Sequence, residues 1–412
     1  MQVSTTDILI KGLYMKTVMT IKDTCEFYNG TGFPMVYQGK TAGKYPFYKV
    51  GDISKNVQLG NCYLKECDNY IDDEILNQLR GVLVPANSIA FAKIGEALKL
   101  NRRTITSTPC LVDNNVIAIH PNEEILDVEY FYYFMKTVNM ADYSSSTTVP
   151  SVKKSSLEKI GVPTPELNEQ KRISNELNTL SFAIQSKKDE LSSLDELVKS
   201  RFIEMFGHYF EDSRYFVKVG DIATATIGLT YKPDNVTDEG IIVLRSGNIQ
   251  NAELCLSDDI VRVSNIKIKE DKFVRENDIL MCSRNGSARL VGKCCLIPKL
   301  NEQMSYGAFM TVIRSKYPYF LNGFFNSSYF LQQLTGTQTA SVNQITTGML
   351  SGYTVIKPKD TEESEFAEFV KLIDKSKFVC HSKNFLCDIF TFSSSTIAYP
   401  SVVSIFVCPK RC

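Results

Sequence analysis

The central stretch of the chain, residues 166–207, has apolar residues at helical spacing. Between Glu166 and Phe206 there is no Gly or Pro, and apolar residues recur at steps of three and four, with Lys187 as the one polar substitute. This spacing is typical of a coiled-coil seam rather than of a merely amphipathic helix. At about 1.5 Å per residue the stretch predicts a rod of roughly 58 Å, which needs a partner helix to bury its seam. The predicted seam positions are Ile173, Leu177, Leu180, Ile184, Leu191, Leu194, Val198, Phe202 and Met205.

A shorter segment after Pro358 repeats this helical pattern. Acidic residues fill its first turns, which suits the positive end of a helix dipole. We therefore expect a second helix to begin over residues 359–379, with a stripe formed by Phe366, Phe369, Val370 and Ile373. Residues 380–412 lack heptads and hold four of the 12 cysteines, so their composition resembles the translation of a different reading frame. We expect the second helix to be truncated.

The sequences before and after the central stretch are both strand-like, and the second repeats the pattern of the first. Short β-branched and aromatic runs are separated by Gly, Asn, Asp and Pro, as strands are. Five segments recur in the same order at a separation of about 190 residues, the mark of an internal repeat. The pairs are KVGDI (49–53) and RSGNI (245–249), LVPANSIAFAKIG (83–95) and FVRENDILMCSRNG (273–286), EYFYYFM (129–135) and YPYFLNGFF (317–325), Ser151-Val152 and Ser341-Val342, and GVPTP (161–165) and TVIKP (354–358). The repeat predicts two similar α+β domains.

Composition narrows the function classes. Lys and Arg number 46 against 46 Asp and Glu, which excludes a uniformly basic nucleic-acid coat and an acidic disordered tail. The cysteines form no pair of CxxC motifs and the three His lie far apart, so we expect no zinc site. The N-terminus has no signal-peptide pattern, and the uncharged stretch 389–407 is interrupted by Pro400 and rich in Ser. We expect a cytoplasmic protein without a membrane span.

Motifs of bond-making chemistry are absent from the sequence. Gly39-Lys40-Thr41 matches the end of a phosphate-binding loop, but Pro34 stands where that loop requires Gly. There is no HExxH, no GxSxG and no Asn-Pro-Pro-aromatic tetrapeptide of an amino-methyltransferase. Three His make a catalytic triad hard to assemble. The sequence thus predicts a chain with no catalytic residue, metal or cofactor of its own.

Overall neutrality conceals a basic patch in each repeat. The first patch spans residues 93–103 and opposes four cations to Glu96, while the second spans residues 281–300 and contains no acid. Long cationic side chains beside Gly and small polar residues suit an approach to phosphates and base edges, although a solvated hairpin remains the alternative. Tyr37, Gln38 and Lys232 are weaker candidates, for which a turn packed on its own domain is equally good. The predicted DNA-binding residues are Lys93, Lys99, Arg102, Arg103, Arg245, Arg284, Asn285, Arg289, Lys293, Tyr37, Gln38 and Lys232.

These features together resemble the specificity subunit of type I restriction–modification enzymes. The resemblance rests on two unlike mixed domains, each closing with V-P-x-P or V-I-x-P before a helix that opens NEQKRIS or SEFAEFV. Its most specific part is PELNEQKRIS…LSSLDELVKSRFIEMFG, and it covers roughly residues 16 to 378. It implies two target-recognition domains that each read half of a split DNA site. It also implies an antiparallel pair of long helices that spaces the half-sites.

The resemblance further implies partners. Two modification methyltransferase subunits would dock on the helices, with S-adenosylmethionine as their cofactor, and a separate restriction subunit would use ATP and Mg. The chain itself would be a non-catalytic part of a type I site-specific deoxyribonuclease and adenine methyltransferase complex. Two alternatives stay open: a coiled-coil adaptor with two protein-binding domains, and a degenerate DNA-modifying enzyme.

The predicted organisation follows from the repeat and the resemblance. The fold class is α+β, with two similar target-recognition domains joined by long coiled-coil helices, the second of them truncated. The predicted segments are a leader (1–15), target-recognition domain 1 (16–165), the central coiled-coil helix (166–207), target-recognition domain 2 (208–358), the start of the second helix (359–379) and an atypical tail (380–412).

Overall fold

The computed structural model describes residues 17–65, 67–144, 150–256, 260–337 and 344–381. The predicted leader, the Ser341-Val342 match and the tail from residue 382 onward lie outside these described residues. The described residues divide into two compact units, with the boundary between Lys187 and Lys188. We call residues 17–187 unit 1 and residues 188–381 unit 2.

Helices and strands alternate through both units. The described helices are α1 (Ile21–Thr24), α2 (Val50–Gln58), α3 (Asp73–Leu79), α4 (Glu96–Lys99), α5 (Val128–Thr137), α6 (Lys154–Leu157), α7 (Leu167–Phe206), α8 (Val219–Ile222), α9 (Pro318–Phe325), α10 (Ser328–Thr337), α11 (Thr347–Gly352) and α12 (Asp360–His381). The strands of unit 1 are β1 (Val18–Thr20), β2 (Cys25–Asn29), β3 (Tyr45–Tyr48), β4 (Tyr70–Ile71), β5 (Ile89–Ala92), β6 (Arg103–Ile105), β7 (Leu111–Val112), β8 (Val116–Pro121) and β9 (Gly161–Pro163). The strands of unit 2 are β10 (Phe216–Lys218), β11 (Ala223–Ile227), β12 (Val236–Thr237), β13 (Ile241–Leu244), β14 (Ile249–Gln250), β15 (Glu253–Leu254), β16 (Arg262–Val263), β17 (Ile279–Cys282), β18 (Cys294–Leu296), β19 (Met304–Tyr306), β20 (Met310–Ser315) and β21 (Thr354–Ile356).

The two units have matching sheets. An antiparallel four-stranded sheet has the order β2-β8-β5-β6 in unit 1 and β11-β20-β17-β18 in unit 2. Beside it, β3 pairs with β4 antiparallel and with β7 parallel, as β13 does with β16 and β19. The first strand of each unit pairs with the last, β1 with β9 and β10 with β21. The prediction of two similar α+β domains is confirmed.

The repeated V-x-x-N-x-I segment shows why the two copies fold alike. Asn87 and Asn277 both have a left-handed backbone, with φ of 65° and 66°, in the turn before the central strand. Asn tolerates this conformation better than branched residues do. Two residues later, Ile89 and Ile279 begin β5 and β17 and are fully buried.

Helix α7 is one continuous helix of 40 residues, as the seam pattern predicts. Its apolar positions are covered by different partners along its length. Ile173 and Leu177 are buried in the core of unit 1 with residues of α5, so a globular core covers them rather than a second helix. Phe202 is buried in the core of unit 2, where Val198 and Met205 pack against it. Half-buried positions occupy the middle of the helix: Leu180, Ile184, Leu191 and Leu194.

Helix α12 packs on the end of α7 within unit 2. The rings of Phe202 and Phe366 lie 5.8 Å apart, and Lys377 forms an ion pair with Asp195. Since Phe366 precedes Lys377 whereas Phe202 follows Asp195, the two helices run antiparallel. On the predicted stripe, Phe366 and Ile373 are buried and Phe369 and Val370 are half-buried.

Candidate nucleic-acid interface

In each unit, backbone hydrogen bonds join the end of one inner strand of the four-stranded sheet to the turn before the neighbouring strand. The inner strand is β5 in unit 1 and β17 in unit 2, and the neighbouring strand is β8 or β20. In unit 1 the Lys93 N–H donates to the Asn115 carbonyl at 2.8 Å. In unit 2 the N–H groups of Ser283 and Arg284 donate to the Phe309 carbonyl at 3.0 and 3.1 Å. We call residues 93–95 and 113–115 the first junction, and residues 283–286 and 307–309 the second junction. Both basic patches begin at these junctions.

A glycine closes each junction from its other side. A Cβ atom at Gly30 would lie 1.8 Å from the Asp113 carbonyl oxygen, and one at Gly228 would lie 2.2 Å from that of Gly307. Real Cβ atoms do not approach backbone so closely, so both positions require glycine. The turns are thus held between two backbone segments, which fixes the direction of their side chains.

Arg103 is not part of an exposed surface, and its assignment to the DNA interface is wrong in this structure. Its side chain is 2% exposed, and its guanidinium donates to the Val138 carbonyl at 2.7 Å and to Asn101 Oδ1 at 2.8 Å. The guanidinium also lies over the Phe91 ring, 5.5 Å from its centroid. Burial lowers the pKa of Arg103 to about 10, which leaves it cationic at neutral pH. The residue ties β6 to the end of α5.

The strand register explains this burial. Arg103 pairs with Phe91, and Cys294 pairs with Met281 at the same place in unit 2. Cys294 is also fully buried, so this is a core position in both units.

The residues preceding that core position are cations in both units. Arg102 and Lys293 are half-buried, and neither forms an ion pair or side-chain hydrogen bond with another described residue. Lys93 is likewise half-buried at the first junction. Lys99, by contrast, is exposed and bonded to Glu96 at 2.8 Å, so part of its charge is neutralised.

The second basic patch is more open than the first. Arg284 and Arg289 are exposed, and the Arg284 guanidinium lies over the Phe309 ring at 5.3 Å from its centroid. Asn285 donates to Ser246 Oγ at 3.2 Å, which joins this patch to the turn that begins at Arg245. The structure therefore brings Arg245, Arg284 and Asn285 to one region of unit 2.

Two of the three weaker candidates, Tyr37 and Gln38, pack on their own domain, which is the alternative that the sequence left open. The Tyr37 hydroxyl donates to Gln78 Oε1 at 2.8 Å, and Gln38 donates to the Phe33 carbonyl at 2.8 Å. Both side chains are half-buried and bonded to their own domain. Lys232 is exposed.

Sequence reasoning missed the turn residues at both junctions. Phe309 is 57% exposed in the second junction, and Asn114 and Asn115 are exposed in the first. Phe309 reads as the start of the strand run FMTVIRS, so its exposure has no signal in the apolar pattern. The adjacent Asn pair in CLVDNNVIAI is a turn signal that could have identified the first junction.

Other kinds of site are not formed by the described residues. In this part of the chain no group of three or more His, Cys, Asp or Glu could hold a metal ion. Burial raises the pKa of Cys110 and of Cys295 to about 12, so these thiols stay protonated near neutral pH. Over the same residues, no helix combines the length and apolar character needed to cross a membrane.

Comparison with known proteins gives consistent matches. Residues 15–196 match the model of the type I restriction modification DNA specificity domain. The type I restriction enzyme MjaIX specificity subunit of Methanocaldococcus jannaschii is 28% identical over 116 residues, covering 27% of this chain and 26% of that protein. The EcoKI specificity subunit of Escherichia coli is 24% identical over 180 residues, covering 40% and 38%. The match thus spans about a quarter to two fifths of these relatives.

A solved structure is similar in fold over nearly the whole chain. It is the type I restriction-modification system S subunit from M. genitalium, with a TM-score of 0.51 and 15% sequence identity. The alignment covers 96% of both chains. The similarity therefore extends to unit 2, beyond the residues that the family model matches.

Proposed function

Because residues 15–196 match the model of the type I restriction modification DNA specificity domain, we propose that this chain is the DNA sequence-recognition subunit of a type I restriction–modification enzyme. One observation carries the proposal. Two units of the same topology present basic side chains at the same place in the fold, and in each unit a cation without an acidic partner lies close to a rigid turn. Phosphate contacts would position each unit, and turn side chains would read bases.

The unpaired cations support contact with phosphates. Arg102, Arg289 and Lys293 form no ion pair with another described residue. A cation that has no internal partner keeps its full attraction for phosphate and can release condensed counterions from DNA. Arg102 and Lys293 occupy equivalent positions, so each unit would contact the backbone in a similar way.

A bipartite target follows from two readers on one chain. Helix α7 begins four residues after β9 of unit 1 and ends in the core of unit 2. A continuous helix of 40 residues is stiff and about 60 Å long, so it would set the separation between two half-sites. Bases between the half-sites would then go unread.

The helix pair would also dock two modification methyltransferase subunits. Leu197 on α7 and Leu372 and Phe378 on α12 are 47%, 61% and 74% exposed. Exposed apolar side chains on paired helices suit a protein partner. S-adenosylmethionine would bind to those subunits, and ATP and Mg would serve the restriction subunit.

The proposal is tested on the complex assembled with its methyltransferase. We expect the double variant Arg289→Ala, Lys293→Ala to bind DNA more weakly and to lower the log–log salt slope by roughly one unit for each phosphate that it no longer neutralises. Arg214→Ala is the control, because Arg214 is exposed but bonded to Asp212 at 2.6 Å. A double variant with the same salt slope as the wild type would contradict the proposed interface.

A further inference from the structure

Phe309 is an aromatic residue exposed within a basic loop. Its side chain is 57% exposed, whereas Met310, the next residue, is buried at 1%. The Arg284 guanidinium covers one face of the ring, with Cζ 5.3 Å from the ring centroid. That guanidinium has no hydrogen bond or ion pair with another described residue. The surface therefore presents an aromatic ring and a cation without an acidic partner side by side, in contact through a cation–π interaction.

The backbone around this pair is fixed. The Phe309 carbonyl accepts from both Ser283 and Arg284, so the two side chains leave from hydrogen-bonded residues. On the other side, Gly228 donates to the Met310 carbonyl at 3.0 Å and Leu229 to the Tyr306 carbonyl at 2.6 Å. The backbone that carries the two side chains therefore loses little conformational freedom when a ligand binds, which favours affinity.

The proposed function gives this pair a chemical role. Resting on that function, we propose that Arg284 and Phe309 are the base-reading pair of unit 2, which contacts a guanine and a neighbouring thymine in the major groove. A guanidinium that lies over a ring and has no internal hydrogen bond has its N–H donors available, and a pair of them matches O6 and N7 of guanine. Phe309 would contact the 5-methyl group of the thymine, the one apolar group that a base displays there.

The first junction has different residues at the same positions. Asn115 corresponds to Phe309, because each accepts from the end of the central strand, and Ile94 corresponds to Arg284. An Asn side chain pairs with N6 and N7 of adenine rather than with a thymine methyl. The two junctions would therefore read different bases. This explains why the turn residues differ although the two units have the same fold.

The experiment uses base analogues in the wild-type target. The target is first found by sequencing DNA methylated by the assembled complex, and each thymine of the unit 2 half-site is then replaced by deoxyuridine, which lacks the methyl group. One replacement is expected to weaken wild-type binding about fourfold, the value of one buried methyl group. Phe309→Ala should bind the thymine-containing DNA about as weakly as the wild type binds the deoxyuridine DNA. Its own binding should not weaken further when the thymine is replaced by deoxyuridine.

Guanine is tested in the same way. Replacing the neighbouring guanine by 7-deazaguanine removes N7 and is expected to weaken DNA binding by the wild type about tenfold. The same replacement should weaken DNA binding by Arg284→Ala far less, because that variant has already lost the contact. Leu331→Ala is the matched control, because Leu331 is also 57% exposed but lies on α10. It should keep the wild-type response to both analogues, and Phe309→Leu should keep part of the response to the thymine methyl.

The outcomes separate this inference from the proposed function. If the wild-type complex shows no preferred sequence, the proposed function itself fails. If it has a preferred sequence but Phe309→Ala responds to every deoxyuridine as the wild type does, only the base-reading pair is wrong. Relaxed specificity in the unit 2 half-site alone, with the other half-site unchanged, is the supporting result.

Discussion

Arg102 and Arg103 are neighbours in the chain but have opposite surroundings. Arg103 donates to Val138 and Asn101 from inside unit 1, whereas Arg102 is half-buried without a bonded partner among the described residues. The difference could have been inferred from strand periodicity, since Arg103 and the buried Ile105 share one face of β6. Strand periodicity therefore places Arg103 on the buried face of β6 despite its charge.

This contrast gives a stability prediction. Arg103→Ala should lower the free energy of unfolding of unit 1 by about 2 to 4 kcal/mol, because it leaves buried acceptors unpaired. Arg102→Ala should change it by less than about 0.5 kcal/mol while weakening DNA binding. Urea denaturation and a DNA-binding assay on both variants measure the two effects. Equal stability losses would mean that Arg103 is not the buried anchor of β6.

Glu363 gives a pH-dependent prediction. It is buried, and its carboxylate accepts from the N–H groups of Tyr319 and Phe320 at 2.9 Å, at the start of α9. Burial raises the pKa of Glu363 above its usual 4.5, against the effect of these two hydrogen bonds. Folding therefore favours the protonated form. The stabilisation from this group is complete below pH 4.5 and is lost as the pH rises through the raised value.

The matched variant is Glu363→Gln, because Gln170 has the same role in unit 1, where it accepts from Asp127 N–H at 2.8 Å. The stability of the wild type relative to this variant should fall as the pH rises from about 4 towards about 7. Chemical unfolding at several pH values measures this difference. Parallel curves for the two proteins would exclude titration of Glu363 as the cause.

At the scale of elements, the turns at the junctions depend on Gly30 and Gly228. Gly228→Ala should destabilise unit 2 by about 2 to 4 kcal/mol, because the new Cβ would meet backbone rather than a flexible side chain. Gly352→Ala is the control, since nothing lies within 4 Å of a Cβ built there. Hydrogen exchange at Leu229 and Met310 should increase in Gly228→Ala. Unchanged exchange there would show that the turn has another support.

The helix pair gives a second prediction at this scale. Phe366 is 1% exposed and contacts the rings of Phe202 and Phe206, whereas Phe378 on the same helix is 74% exposed. Phe366→Ala should cost about 3 to 5 kcal/mol of unit 2 stability, and Phe378→Ala less than about 0.5 kcal/mol. Denaturant midpoints of the two variants test this, and similar midpoints would mean that α12 is not anchored by Phe366.

The elements were more predictable from sequence than the site. Local patterns determine the turns, strands and helices: V-x-x-N-x-I predicts the turn before β5 and β17, and the heptads predict α7. The turn pattern occurs in both units. Partner choice along α7 was not predictable, because Ile173 and Leu177 look like seam positions and yet pack on α5. The exposure of Phe309 depends on how β19 and β20 meet β17, which is a tertiary contact without a local pattern.

For the whole molecule, the length of α7 should set the spacing of the target. Seven residues inserted after Lys188 keep the heptad register and lengthen the helix by about 10 Å, close to three base pairs of B-DNA. The insertion lies before the Asp195–Lys377 contact, so the α7–α12 pair is kept. Sequencing of methylated DNA should show the same half-sites with a longer spacer.

The control for this experiment is a five-residue insertion. It would turn the remainder of the helix by about 140° and should abolish methylation instead of changing the spacer. An unchanged spacer in the seven-residue variant would refute the role of α7 as a spacer.

The pairing of the first and last strands places the two ends of each unit side by side. Val18 lies opposite Pro163 and Phe216 opposite Ile356, so the chain enters and leaves each unit at adjacent positions. A genetic crossover at the two ends would replace everything between them without redirecting the chain. Under the proposed function, recombination at these ends would exchange one unit as a cassette and give the chain one new half-site beside the old one.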